Sequence, residues 1–331
     1  MKPTYFRFLT AALAKTMLFL LCACSFGGAS SVESAAGDTR LYTDALGRKV
    51  AVPVHPERVV VQQFYAEMLA LGIEMVGTNK TQSADMTVAK EMLADVEDIG
   101  NIFAGLEKVA SLEADLIVVP EYLERAVLDN LAKIAPTVVV NYSDSMYSRL
   151  RAIGALFGKS DEAEAWIQAY EAKAAQTKER LASVVRPGET ISAFILYHDK
   201  QLYVYGNQMI GATLYGTLGF APPPKLKELI AGNPSELWYT ISPETLPDYA
   251  GDYVMIITPN GDPAAEQETS ALMNGPVWRS IPAVVNGRAI ALDYKWAFYD
   301  PLTMERLLDE LALKLTGGSG RESKTIDAKG G

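Results

Sequence analysis

Cysteine and histidine are almost missing from this 331-residue chain, with two of each. Both cysteines, Cys22 and Cys24, fall within the first 25 residues, so the rest of the chain has neither a disulfide framework nor a thiolate metal site. His55 and His198 alone cannot build a multi-histidine zinc or manganese cage. Basic residues are also in deficit. Thirty Lys and Arg face forty Asp and Glu, for a formal charge of −10 and a pI near 4.9. That balance excludes nucleic acid as the expected partner, because phosphate binding rests on Lys/Arg clusters. There is no Gly-x-Ser-x-Gly elbow, no full Gly-x-x-x-x-Gly-Lys-Ser/Thr phosphate loop and no Gly-x-Gly-x-x-Gly fingerprint, which leaves the common nucleotide and hydrolase chemistries without their usual frames.

Apolar residues, in contrast, are plentiful at 49% against 21% charged. The chain can bury a large core, and its length suits about two domains at ~150 residues each. Lys2, Arg7 and Lys15 carry the only charges before Cys24, and Met17 to Ala23 is an unbroken apolar run. The run is too short to span a bilayer, which needs ~20 apolar residues, so it reads as a signal peptide over residues 1–23. Its end, Leu21-Cys22-Ala23-Cys24, resembles the bacterial lipobox. That resemblance implies a mature protein starting at a lipidated Cys24 and held at the outer face of the cytoplasmic membrane. Residues 24–40, rich in Ser, Gly and Ala, are expected to form a flexible tether, and 317–331 a disordered tail.

Between these ends, short β-branched runs alternate with helical patterns, the signature of parallel α/β units. Candidate strands in the first half are Arg58 to Phe64, Met75 to Thr78, Asp115 to Val119 and Thr137 to Asn141. In the second they are Ile191 to Tyr197, Leu202 to Tyr205, Tyr253 to Thr258 and Ala289 to Asp293. The spacing of Ala163, Trp166, Ile167, Tyr170, Ala174 and Leu181 predicts a long amphipathic helix over Glu162 to Val184, capped at Lys159-Ser160-Asp161, after a shorter one over Met146 to Phe157. The expected architecture is α/β: two Rossmann-like lobes with mostly parallel sheets, residues 41–143 and 187–316, joined across 144–186 by a single long α-helix.

The halves share one spacing. Glu107 begins EKVASLEADLIVVP and Glu244 begins ETLPDYAGDYVMIITP. In each, the glutamate opens a short helix, an Asp follows eight residues on (Asp115, Asp252), then an apolar strand, then Pro120 or Pro259. Two acids at matching places on two lobes form a two-point mark for a partner with basic pockets. Rim charges of this kind steer and orient docking more than they add affinity.

At this point the chain resembles a family. Thr43 to Arg48, Pro56 to Val60, Leu69 to Gly72, Glu107 to Val119 and Ser242 to Ile257 together are similar to the periplasmic and lipoprotein substrate-binding proteins of ABC importers for ferric siderophores and cobalamin. The resemblance covers about residues 40 to 316. It implies a class III binding-protein fold and docking of Glu107 and Glu244 on arginines of a permease dimer; the single connecting helix adds the expectation of a monomer that closes only modestly, and the missing catalytic motifs that of no enzymatic activity. Ala114, where the family usually carries proline, is a departure.

In open α/β sheets, ligands are held by loops at the carboxyl ends of strands. The first-lobe candidates are Gln63, Tyr65, Lys80, Asn101, Phe103 and Tyr122, with Gln62 and Asn79 in the same loops. The second-lobe candidates are Tyr205, Asn207, Gln208, Trp238, Tyr239, Trp296, Phe298 and Tyr299, beside Tyr197. The set is rich in rings and amides and has Lys80 and Lys295 as its obvious cations. It suits a nearly neutral ferric trihydroxamate better than a multiply anionic catecholate chelate. Tyr294 to Thr303 resembles the Trp-containing Asp-Pro-Leu-Thr stretch of ferric hydroxamate binders, although Met209-Ile210-Gly211 stands where many of them have an arginine. The iron is expected to arrive already wrapped, with no protein ligand and no cofactor. The alternatives are a ferric citrate or catecholate binder, a haem binder using His198 and Met68 as axial ligands, a cobalamin binder, and a surface hydrolase.

Overall fold

The computed structural model describes residues 38–80, 90–102, 105–259 and 262–317. The signal segment, Cys24, most of the tether, Phe103 and the tail after Gly317 lie outside these. The tether prediction ran two residues too far: Thr39 and Arg40 already belong to β1 (Thr39–Thr43), which pairs antiparallel with β2 (Lys49–Pro53). This hairpin was not anticipated. Its turn is organised by Asp44, which accepts the backbone N–H of Leu46 at 3.0 Å and of Arg48 at 2.9 Å, and the Arg48 side chain at 2.8 and 2.6 Å. Gly47 supplies the left-handed residue with φ 73°. Arg48 also donates to the Thr137 carbonyl at 3.1 Å, and the Ala45 N–H bonds to the Val139 carbonyl at 3.0 Å, so the turn is clamped to the first lobe.

That lobe is a parallel sheet of β3 (Val59–Val61), β4 (Gly77–Thr78), β5 (Glu97–Asp98), β6 (Leu116–Pro120) and β7 (Thr137–Val140), in the order β5-β4-β3-β6-β7. Helices α1 (Tyr65–Ala70), α2 (Leu106–Ser111) and α3 (Arg125–Leu131) return the chain between strands. Strands β3, β6 and β7 are buried throughout, as expected for strands covered on both faces. The Arg58 to Phe64 run yields only a three-residue strand, because Gln63 turns left-handed at φ 73°.

The second lobe orders β10 (Trp238–Ile241), β9 (Leu202–Tyr205), β8 (Ile191–Leu196), β11 (Tyr253–Thr258) and β12 (Ala289–Asp293). β8, β11 and β12 are parallel, whereas β9 runs antiparallel to both β8 and β10. The reversal follows from the tight link between β8 and β9, where the Tyr197 N–H bonds to the Gln201 carbonyl at 3.0 Å and Lys200 takes φ 64°. So short a connection cannot make a parallel crossover. Helices α4 (Met146–Phe157) and α5 (Ser160–Leu181) join the lobes; α6 (Pro224–Gly232), α7 (Leu246–Tyr249) and α8 (Pro263–Asn274) belong to the second, and α9 (Pro301–Gly317) ends the described chain.

α5 is shorter than predicted and lacks the expected cap: Lys159 holds the N-cap position with no side-chain bond, and the helix stops at Leu181. At 22 residues it is still ~33 Å long. Its buried stripe, from Ala163 through Ile167, Tyr170 and Ala174 to Leu181, belongs to one core that includes Val59 and Val61 of the first sheet and Ile191 and Ala193 of the second. Nor does α5 act alone. α9 packs against both α5 and α1, and Lys173 of α5 reaches Asp309 at 2.8 Å. The lobes are therefore held by two helices and a shared core.

Candidate functional site

The carboxyl ends of the two sheets converge. Gln63 follows β3, Asn79 follows β4 and Tyr142 follows β7; from the other side come Tyr197 after β8 and Tyr294 after β12. All five line one cavity of about 260 Å3, together with Tyr65, Phe298 and Tyr299. The left-handed Gln63 is tied by its N–H to the buried Asn79 Oδ1 at 3.2 Å. A strained backbone locked by a buried amide at a cavity lip marks a site worth its cost.

Arg149, Glu67 and Asp300 complete the lining. The Arg149 Nε donates to Glu67 Oε1 at 2.7 Å, with side-chain exposures of 3% and 1%. Its other nitrogens donate to the carbonyls of Tyr142, at 3.1 Å, and Tyr299. The guanidinium carbon lies 5.1 Å from the Tyr142 ring centre and 5.5 Å from that of Tyr299. One side chain of α4 thus ties α1, the loop after β7 and the second lobe. Burial opposes both charges, pushing the Glu67 carboxyl up and working against the guanidinium, but the 2.7 Å contact keeps Arg149 charged and above its ordinary range. Burial pushes the Tyr142 phenol up to about 12, so its hydroxyl is neutral at physiological pH.

Asp300 keeps some exposed surface, yet its enclosure raises its carboxyl above the ordinary 3.8 despite bonds from the Thr303 N–H (2.8 Å) and hydroxyl (2.7 Å) and the pull of Arg149. A raised carboxyl favours the folded state when protonated. Its contribution is complete below the unfolded value and is lost as pH rises through the folded one. Asp300→Asn, which keeps a capping side chain for α9, is expected to match the wild type in urea unfolding at low pH and to exceed it in stability near pH 7. Equal stability at both ends would contradict the shift.

The second-lobe wall is a chain of rings. Phe298 meets Tyr294 at 5.5 Å, Tyr294 meets Tyr197 at 6.5 Å and Tyr197 meets Trp238 at 5.1 Å. His198 packs edge-on to Tyr197 at 4.7 Å and pairs through Nδ1 with Asp262 at 2.7 Å.

Of the residues expected from sequence, Gln63, Tyr65, Phe298 and Tyr299 line this cavity, as do Asn79 and Tyr197 from the same loops, and Asn207 lines a neighbouring one. Tyr122 stands at the rim, half exposed, 6.2 Å from Tyr142 and bonded to Gln63. Trp238 lies one ring behind the wall. Others face elsewhere. Lys80 turns its ammonium to the carbonyls of Ala94 and Val96, at 3.2 and 2.8 Å, so it braces a loop. Tyr205 is fully buried, because β9 carries it away from the carboxyl edge toward the level of Ala193. Tyr239 spends its hydroxyl on the Asn233 carbonyl at 2.6 Å. Trp296 is 7% exposed and joins the core, while Lys295 lies over its ring at 5.2 Å. Asn101 and Gln208 line neither cavity. Met68 is fully buried in the first-lobe core, which removes it as a haem ligand. Tyr142, Tyr294, Arg149, Glu67 and Asp300 were not anticipated. Arg149 left one signal: it sits on the stripe Met146, Arg149, Leu150, Ile153 where an apolar residue is due.

The repeat is visible in three dimensions. Asp115 accepts the N–H groups of Glu57 (2.7 Å) and Arg58 (3.0 Å) just before β3. Asp252 accepts the N–H (2.8 Å) and hydroxyl (2.9 Å) of Thr190 just before β8. Each aspartate clamps its strand's neighbour in the same way. Glu107 and Glu244 both follow the edge strand of their sheet (β5, β10), precede the equivalent strand (β6, β11) and are exposed. Because β10 runs in the direction of β8, both glutamates start from the carboxyl edge that borders the cavity.

Residues 52–295 match the model of the family described as periplasmic binding protein. The chain belongs to that family. This binding protein is 30% identical over 316 residues to the iron(3+)-hydroxamate-binding protein FhuD of Bacillus subtilis, covering 92% of this chain and 96% of the relative. It is 29% identical over 305 residues to the iron(3+)-hydroxamate-binding protein YxeB of the same organism, covering 88% and 91%. Its fold superposes on FhuD2 of Staphylococcus aureus with bound ferrioxamine B at a TM-score of 0.69 and 26% identity, covering 80% of this binding protein and all of FhuD2.

Proposed function

We propose that this binding protein captures a ferric siderophore of the hydroxamate type outside the cell and delivers it to an ABC importer. The carrying observation is the electrostatics of the cavity. Its rings and amides offer stacking faces and neutral hydrogen-bond donors, while the guanidinium in its lining is consumed by Glu67 and two carbonyls. A chelate with little net charge fits such a lining; a tris-catecholate, with several negative charges, calls for unspent Lys or Arg donors. The names of FhuD and YxeB support the same class. On this reading the iron arrives wrapped, the protein gives it no ligand, Glu107 and Glu244 meet the permease, and a lipid on Cys24 holds the protein at the membrane.

Tryptophan emission tests the reading, since Trp238 packs directly behind Tyr197 of the cavity wall, ring centres 5.1 Å apart. Titration with ferrichrome, ferrioxamine B, ferric citrate, a ferric catecholate, hemin and cobalamin is expected to give saturable quenching at the lowest concentrations with the two hydroxamates. Tighter binding of the catecholate or of hemin would overturn it.

A further inference from the structure

A second cavity of about 580 Å3 adjoins the first and shares Tyr299 with it. It lies along α5, with Tyr170, Glu171 and Lys178 on one side and the segment Ala212–Thr217 on the other. That segment is a π-helical turn, a rare conformation that is frequent at functional sites. The walls are aromatic and hydroxylic. Tyr147 meets Tyr170 edge-on at 6.2 Å, Trp166 stacks on Tyr170 at 5.4 Å with planes 10° apart, and the Tyr170 hydroxyl reaches Thr217 at 3.5 Å.

The charges are separated along the groove. Glu171 accepts a hydrogen bond from Tyr147, whose phenol also feels Tyr299, so this carboxylate is at the end shared with the first cavity. Lys178 lies seven residues on, ~10 Å further along the helix, with its ammonium against Gly219. A molecule entering from the chelate cavity past Tyr299 therefore meets a carboxylate first.

We propose that this groove is an extension of the chelate site that receives a flexible arm of a linear siderophore, with Glu171 recognising a primary ammonium at its end. The inference rests on the siderophore reading above and adds the class of chelate preferred: linear and cationic rather than cyclic and neutral. The aromatic rails take the methylene chain, and Glu171 takes the charge, a half-exposed ion pair that contributes modestly and is weakened by salt.

The test compares ferrioxamine B, whose chain ends in a free amine, with its N-acetylated and N-succinylated forms, by titration of the full mature protein and of two variants. Glu171 and Ala175 are exposed, so neither change threatens the fold. Wild type is expected to bind the amine form about fivefold more tightly than the acetylated one, and Glu171→Gln is expected to erase that difference. Ala175→Trp, which fills the groove, is expected to weaken all three linear chelates and leave cyclic ferrichrome unchanged. Equal affinity for amine and acetylated forms in wild type, or preference for the succinylated form through Lys178, overturns the proposal while leaving the siderophore reading in place. Failure of wild type to bind any of the ferric chelates removes both.

Discussion

Replacing Arg149 by methionine is expected to cost about 3–5 kcal/mol of stability, because it strands the buried Glu67 carboxylate that the guanidinium now neutralises. With both partners almost wholly buried, solvent cannot take over that role. The same change frees the carbonyls of Tyr142 and Tyr299, which carry rings on opposite lobes of the cavity, so chelate affinity is expected to fall with stability. Urea unfolding separates the contributions. The double variant Glu67→Met with Arg149→Met removes both charges and is expected to recover most of the lost stability, since a buried pair replaced by apolar groups of similar volume is often neutral. Chelate affinity is expected to stay low in the double variant, because the two carbonyl anchors are still missing. A loss below about 1 kcal/mol in the single variant would mean that water reaches Glu67 and that this cluster does not join the lobes.

The second large effect concerns delivery. Changing Glu107 and Glu244 together to alanine is expected to reduce uptake of a radio-iron chelate about tenfold or more in cells carrying the importer, while the purified protein binds chelate as before. Both carboxylates are exposed and neither lines the cavity, so a loss of chelate affinity would point to a fault in the structural assignment. Undiminished uptake would remove these two residues from docking. Single changes are expected to have intermediate effects, since each lobe contributes one contact.

The parts of the fold legible in sequence were those with a strong local period or an internal echo. The buried valine and isoleucine runs placed eight of the strands, and the Glu107/Asp115 and Glu244/Asp252 spacing marked equivalent strands that the sheet orders later matched. What escaped depended on distant partners. The β1–β2 hairpin has one mostly exposed face and is fixed through Asp44 and Arg48 to β7, contacts that no local pattern announces. β9 reverses because of a five-residue link, and that reversal buries Tyr205.

Residue type alone named the right loops but not which side chains face inward. After β12, Asp293 caps a tight turn by accepting the Lys295 N–H at 3.0 Å. Through that turn Tyr294 and Phe298 reach the cavity while Trp296, between them, joins the core. Lys80 illustrates the opposite error, since a lysine beside a cleft can be consumed by nearby carbonyls. Arg149 and Glu67 are the converse. Each is a charge on an otherwise apolar helix face, and such a position, which an isolated helix could not tolerate, requires a partner from elsewhere in the fold.

The most direct test of the account is the iron anomalous-scattering map of crystals of the mature protein loaded with a ferric trihydroxamate. The account predicts a single iron peak between the carboxyl edges of the two sheets, flanked by Tyr142 and Tyr299 and by the Tyr197–Phe298 wall, with no protein atom in its coordination shell. An iron bonded directly to a protein carboxylate or phenolate, or a chelate seated away from this cavity, would contradict it.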